Sequence, residues 1–136
     1  MVELVTTMVI VGVLAIFAAP YFFDRNAFDS RGFADQVAAS LRYAQKAAIA
    51  QHRFVCAAFS TNSVTLTQGA SAACGGNLAS PSGQTAYSVS SNKASFTGIP
   101  AAFNFDALGR PSASGVIAVN GHATAITVEA ETGYVH

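Results

Sequence analysis

The chain has 136 residues, enough for one domain with one appended element and not for two full domains. Hydrophobic residues make up 51% and charged residues 10%, which excludes a disordered chain, and a formal net charge of 0 points to neither a general polyanion binder nor an acidic tail protein. Two cysteines are too few for a disulfide-dense miniprotein.

The first predicted element is the most apolar. Residues 4–23 form a run of 20 positions without a charge. A helix of that length spans roughly 30 Å, the thickness of a bilayer's hydrocarbon core. A cleaved secretory signal fits poorly. No Lys or Arg precedes Arg25, and bulky Ile16 and Phe17 stand where a small residue is needed before a cut after Ala18 or Ala19. A plain signal anchor leaves Glu3 unexplained. A carboxylate at the centre of a membrane span costs about 2.5–3.5 kcal/mol. Near the end of the span the cost is lower, but a partner is still expected.

Residues 1–20, Met-Val-Glu-Leu-Val-Thr-Thr-Met-Val-Ile-Val-Gly-Val-Leu-Ala-Ile-Phe-Ala-Ala-Pro, resemble the N-terminal region of type IV pilins and type II secretion pseudopilins. Glu3 matches the family's helix glutamate, Gly12 its usual helix glycine and Pro20 its helix-kinking proline. The resemblance implies that Glu3 neutralises the N-terminal amine of a neighbouring subunit and so sets axial register. It implies other pilin or pseudopilin subunits as partners through this helix, together with the inner membrane and its assembly platform. It further implies a single-pass protein of the bacterial inner membrane with a periplasmic C-terminal domain, later moved into a pilus or pseudopilus. The family pattern has a basic leader ending in Gly and a methylated first residue, so a leader of this kind is expected to be encoded ahead of Met1. A simple helix end at the membrane surface is the other reading of Pro20.

The second element covers residues 24–53. Phe33, Val37, Leu41, Ala44 and Ala48 recur at helical spacing and predict an amphipathic face. Arg42, Lys46 and Arg53 fall chiefly on the solvated side. The eight charges of this segment read as a solvated face, with membrane-surface contact near Arg25 and Arg31 as a minor alternative. Asp29 or Ser30 could cap a new helix if the first is interrupted. Residues 2–52 are therefore read as one long bent helix, about 75 Å if unbroken.

From residue 54 the period becomes two. Strands are predicted at 54–59, 63–67, 94–97, 103–106, 115–120 and 123–129. Thr61-Asn62 and Asn120-Gly121 are the predicted hairpin turns. Residues 68–92 are small and polar and read as a long surface loop, the contact surface if the protein is an adhesin-like tip module. The fold class is then α+β: a long, partly transmembrane N-terminal helix packed on an antiparallel sheet. The divisions are 1–23 for the membrane or filament-core helix, 24–53 for its amphipathic half and 54–136 for the β-rich domain. In an exported domain Cys56 and Cys74 are expected to pair, worth about 3 kcal/mol by loop entropy. Two unpaired small core residues are the alternative.

Phe105-Asp106-Ala107-Leu108-Gly109-Arg110 resembles the F-D-x-x-G-R motif of the GspH/FimT pseudopilin domain, and Thr132-Gly133-Tyr134-Val135 resembles that domain's closing strand. A strand ending in a turn, with Asp at the first turn position and Gly at the fourth, explains Phe105, Asp106, Gly109 and Arg110 without any binding role. Arg42-Tyr43-Ala44-Gln45-Lys46-Ala47, with Cys56 shortly after, resembles the minor pilins of mannose-sensitive haemagglutinin pili. No cofactor is expected. His52, His122 and His136 show no metal-ligand spacing with the cysteines. No nucleophile elbow, P-loop or zinc-protease motif occurs, and only Lys93, Asp106, Arg110, Glu129 and Glu131 are charged beyond residue 53, so an enzyme is not expected. Some FimT-type minor pilins take up DNA, but two cations in the β-rich domain fall short of the cluster that phosphate binding needs. The reading is a minor pilin of an MSHA-type pilus, with a GspH-like secretion pseudopilin as the first alternative and a DNA-binding FimT-like subunit as the second.

Overall fold

Two helices lead the chain and antiparallel strands follow, the α+β plan expected. A computed structural model describes residues 1–23 and 25–136, with side chains at all of these except Tyr21, Phe22 and Phe23. Helix α1 covers Val2–Phe23 and α2 covers Arg25–Gln51. The expected join of the two at Asp24 lies outside the described residues. Gly12 and Pro20 sit inside α1, so the helix does not end at the proline. Asp29 and Ser30 sit inside α2, so neither caps a new helix.

The predicted stripe is the buried face of α2. Phe33, Val37, Leu41, Ala44 and Ala48 are all buried, with Ala34, Ala38 and Ala47 beside them. Alanine on this face keeps the helix close to the sheet while costing no side-chain entropy. Each fully buried large apolar side chain contributes about 1.5–3 kcal/mol. The helix closes with His52 in a left-handed conformation, φ 49°. Arg53 N–H donates to the Ala48 carbonyl at 3.2 Å and His52 N–H to the Ile49 carbonyl at 3.4 Å. That pair of bonds is a Schellman cap, made here without glycine.

Strands β1 (Phe54–Ser60) and β2 (Ser63–Gly69) form the predicted hairpin, with Ser60 opposite Ser63 across Thr61-Asn62. Val55 and Ala57 of β1 and Val64 and Leu66 of β2 alternate inward under α2. Strand β5 (Phe103–Phe105) pairs with the other edge of β1. With β3 (Gly76–Asn77) and β4 (Tyr87–Ser90), the sheet order is β3-β2-β1-β5, and β4 shares the outer edge of β2. A separate two-stranded sheet joins β6 (Gly115–Ile117) to β7 (Ile126–Val128). A chain of rings ties the parts together. Phe33 lies 5.2 Å from Phe96, Phe96 5.7 Å from Phe59, Phe59 5.9 Å from Phe103 and Phe103 5.4 Å from Phe105.

Three expectations need correction. Residues 68–92 are not a plain loop. They contain β3 (Gly76–Asn77) and β4 (Tyr87–Ser90), and Leu78 between them is fully buried. Residues 94–97 form no strand; Phe96 makes a single bridge to Val119. Asn120-Gly121 does turn the chain, with His122 N–H on the Val119 carbonyl at 3.1 Å, but it does not join paired strands directly. Thr97 N–H donates to the Ala118 carbonyl and Asn120 N–H to the Ser95 carbonyl, both at 2.9 Å. The 94–97 segment therefore occupies the edge that a tight hairpin would have used, and β7 meets β6 only from Ile126 onward.

Candidate functional site

The first candidate is α1. Every residue from Met1 to Pro20 is exposed. Its most apolar 18-residue window has a mean hydropathy of 2.4, long and apolar enough to cross a membrane. Both of its threonine hydroxyls are satisfied within the helix. Thr6 Oγ1 donates to the Glu3 carbonyl and Thr7 Oγ1 to the Leu4 carbonyl, both at 2.9 Å. The helix thus offers apolar surroundings no orphaned side-chain donor along this turn. Glu3 stands in the first turn, where a carboxylate faces the positive end of the helix dipole. Among the described residues Lys93 pairs with Asp29 and His136 Nε2 lies 4.0 Å from Glu129 Oε1, and Glu3 takes part in neither contact. A Cβ built on Gly12 meets nothing within 4 Å, so this side of α1 is open.

The second candidate is the turn after β5. Asp106 Oδ1 accepts from Leu108 N–H at 2.9 Å and from Arg110 N–H at 2.8 Å, so one carboxylate oxygen caps the whole turn. The backbone closes it twice more, Gly109 N–H on the Asp106 carbonyl and Asp106 N–H on the Arg110 carbonyl, both at 2.9 Å. Gly109 adopts φ +80°, and a Cβ there would lie 2.7 Å from Ile49 Cδ1 on α2. The left-handed conformation calls for glycine, and a side chain there must also displace the tip of Ile49. Phe105 is fully buried, whereas Arg110 and Leu108 face solvent. The turn reading therefore accounts for Phe105, Asp106 and Gly109, while the exposed side chain of Arg110 is left without a structural task.

Gln45, one turn along from Leu41, holds this turn to the C-terminus. Its Nε2 donates to the Gly109 carbonyl at 3.1 Å and to the Thr132 carbonyl at 2.7 Å. Gly133, φ +67°, packs its backbone against the Gly109 carbonyl. Arg42 Nε reaches the Val135 carbonyl at 3.2 Å, and Val135 bridges Val128. The expected closing strand is thus a bridge anchored by two α2 side chains. Gln45 had no assigned role in the sequence. Its only signal was a polar residue beside Ala44, on the edge of the buried stripe. Tyr43 does the same for the 68–92 segment, donating its hydroxyl to the Ala79 carbonyl at 2.9 Å. Its ring lies 5.4 Å from Tyr87, whose hydroxyl pKa is raised by burial and by Tyr43.

Cys56 and Cys74 form a disulfide with Cα atoms 6.0 Å apart. It ties β1 to the stretch between β2 and β3. Cys74 is in a left-handed conformation, φ 41°, and a Cβ on Gly69 would lie 2.9 Å from the Cys74 Cα. Gly69 lets the two backbones meet so that the bond can close. His52, His122 and His136 do not converge with the cysteines. Among the described residues no three His, Cys, Asp or Glu side chains come together. The comparisons with family models, curated proteins and solved structures return no match.

Proposed function

We propose that the chain is a structural subunit of a pilin-type filament, a minor pilin or a pseudopilin, held in the inner membrane before assembly. The observation that carries the reading is α1, a helix apolar on every side and exposed at every residue from Val2 to Pro20, with one carboxylate in its first turn. Such a helix must be covered by lipid or by other helices. A carboxylate that enters those surroundings needs a cationic partner. The N-terminal amine of a neighbouring subunit is one that repeats along a filament. The globular domain supports the reading by offering a rigid head, with α2 clamped to the sheet and to the C-terminus through Arg42, Tyr43 and Gln45. Work of this kind is insertion, docking and filament initiation, with other subunits and an assembly platform as partners.

The test is Glu3→Ala in cells that make the filament. The variant is expected to reach the membrane fraction, disulfide-bonded, at the normal level and to be missing from sheared filaments. Incorporation at the level of the unaltered chain overturns the proposal.

A further inference from the structure

Phe28 is 75% exposed, although it is among the largest apolar side chains of the chain. It lies in the first turns of α2 and walls two clefts. One, about 360 Å³, separates α2 from residues 90–93, where Lys93 Nζ reaches Asp29 Oδ2 at 3.5 Å. The other, about 300 Å³, separates α2 from residues 121–124 and is bordered by Arg31 and His122. Arg25 and Arg31 are exposed on either side of Phe28. Among the described residues Arg25, Arg31 and Lys93 stand here with Asp29, which Lys93 holds.

Position along the chain says what this end meets. Phe28 follows Phe23 by five positions. No connection can carry it more than about 18 Å past the end of α1, and helical rise carries it about 7.5 Å. The headgroup layer on one side of a bilayer is about 5–8 Å deep. If α1 spans the bilayer and the chain keeps helical rise past its end, an exposed aromatic flanked by arginines stands at headgroup level. Aromatic side chains and cations both favour that layer.

We propose that this end of the globular domain docks on anionic phospholipid headgroups, with Phe28 entering the interface and Arg25, Arg31 and Lys93 meeting lipid phosphates. The proposal rests on the reading of α1 as a membrane segment. It adds a second, ionic contact that fixes how the head sits on the bilayer before assembly.

The chain has no tryptophan, so Phe17→Trp, Phe28→Trp and Leu108→Trp each carry a single indole. Leu108 adjoins Gly109, which meets Ile49, 21 positions beyond Phe28 and so about 31 Å along α2. The full chain is reconstituted in phosphatidylcholine vesicles with and without phosphatidylglycerol, each prepared with lipid brominated either near the headgroup or deep in the acyl chain. The indole of Phe17→Trp is expected to be quenched by deep bromine in both mixtures. That of Phe28→Trp is expected to lose most of its emission to shallow bromine with phosphatidylglycerol and to recover it at high salt or on adding Arg25→Glu and Arg31→Glu. That of Leu108→Trp is expected to stay unquenched. Quenching in Phe17→Trp without quenching in Phe28→Trp sinks the docking proposal alone, as does Phe28→Trp quenching indifferent to lipid charge and to the two charge reversals. An indole in Phe28→Trp that is shielded from solvent without being quenched sinks it as well and points to a second copy of the chain. An unquenched indole in Phe17→Trp removes the membrane reading beneath it.

Discussion

Helices α1 and α2 are neighbours of similar length and opposite design. From Val2 to Pro20, α1 buries nothing, although it is apolar almost throughout. By contrast, α2 has 10 buried residues although much of its surface is charged. What separates them is periodicity. Most of the large apolar residues of α2, Phe33, Val37 and Leu41, fall on one stripe that a sheet covers, with Phe28 and Ile49 left outside it, whereas those of α1 surround the axis and no single layer can cover them. The fold of this chain therefore accounts for the stability of α2 and leaves that of α1 to its surroundings.

Paired leucines break or sharpen that contrast most directly. Leu41 is 0% and Leu14 62% exposed. Leu41→Ala is expected to destabilise the β-rich domain by about 3 kcal/mol, through lost transfer energy and the cavity left behind. Leu14→Ala is expected to change it by less than about 0.5 kcal/mol. Thermal unfolding of the full chain in detergent, followed by the β-sheet circular dichroism signal, checks both. Equal losses would show that α1 also packs on the domain.

The disulfide comes next. Replacing Cys56 and Cys74 by serine is expected to cost about 3 kcal/mol in the same measurement. The loss is expected to leave Leu14→Ala as neutral as before, because the bond ties β1 to the stretch before β3 and does not touch α1. Alkylation without reductant is expected to leave the mass of the unaltered chain unchanged.

Both helices were legible because each rests on a long repeated signal: the uncharged run in α1 and the four-residue spacing from Phe33 to Ala48 in α2. The first hairpin was legible because Val55, Ala57, Val64 and Leu66 alternate over a short turn, and the cysteine pair because a domain read as exported favours a bond between its two cysteines. Strands β3 and β4 were not. They lie in a stretch of Gly, Ser and Ala whose pairing comes from backbone bonds to β2, and the marks of burial are few: Leu78, and Tyr87 and Val89 alternating with serines in β4. The misplaced hairpin at Asn120-Gly121 has another cause. The turn was read correctly, but the partner of residues 118–120 is the distant 95–97 segment, and no local pattern reveals that. Of the candidate site, the F-D-x-x-G-R turn was visible as a turn, whereas its tether Gln45 stood out only as a polar residue on the edge of the α2 stripe, with nothing to name its partners.

The contrast between buried and exposed extends to that turn. Asp106→Ala is expected to cost about 1–2 kcal/mol, because two backbone N–H groups lose their acceptor. Gly109→Ala is expected to cost a similar amount or more, from left-handed strain and the push against Ile49. Arg110→Ala is expected to stay within about 0.5 kcal/mol, its side chain being exposed. Denaturant midpoints measure all three. A stability-neutral Arg110→Ala that lowers the amount of filament would assign the arginine to contact between subunits.

The smallest expected effect runs in the stabilising direction and separates two left-handed positions, His52 and Gly109. Gly109 is buried beside Ile49 and Gln45, so a side chain there must also push their side chains aside. His52 is exposed and needs only its backbone conformation, φ 49°, to close the cap on α2. A side chain in that conformation costs about 1 kcal/mol that glycine does not. Glycine is also freer in the unfolded chain, which takes back part of the gain. His52→Gly is therefore expected to stabilise the domain by less than about 1 kcal/mol, raising its unfolding temperature by a few degrees. A fall instead would mean that the imidazole does something the cap geometry does not require, and that α2 is held at this end by more than the Schellman bonds to Ala48 and Ile49.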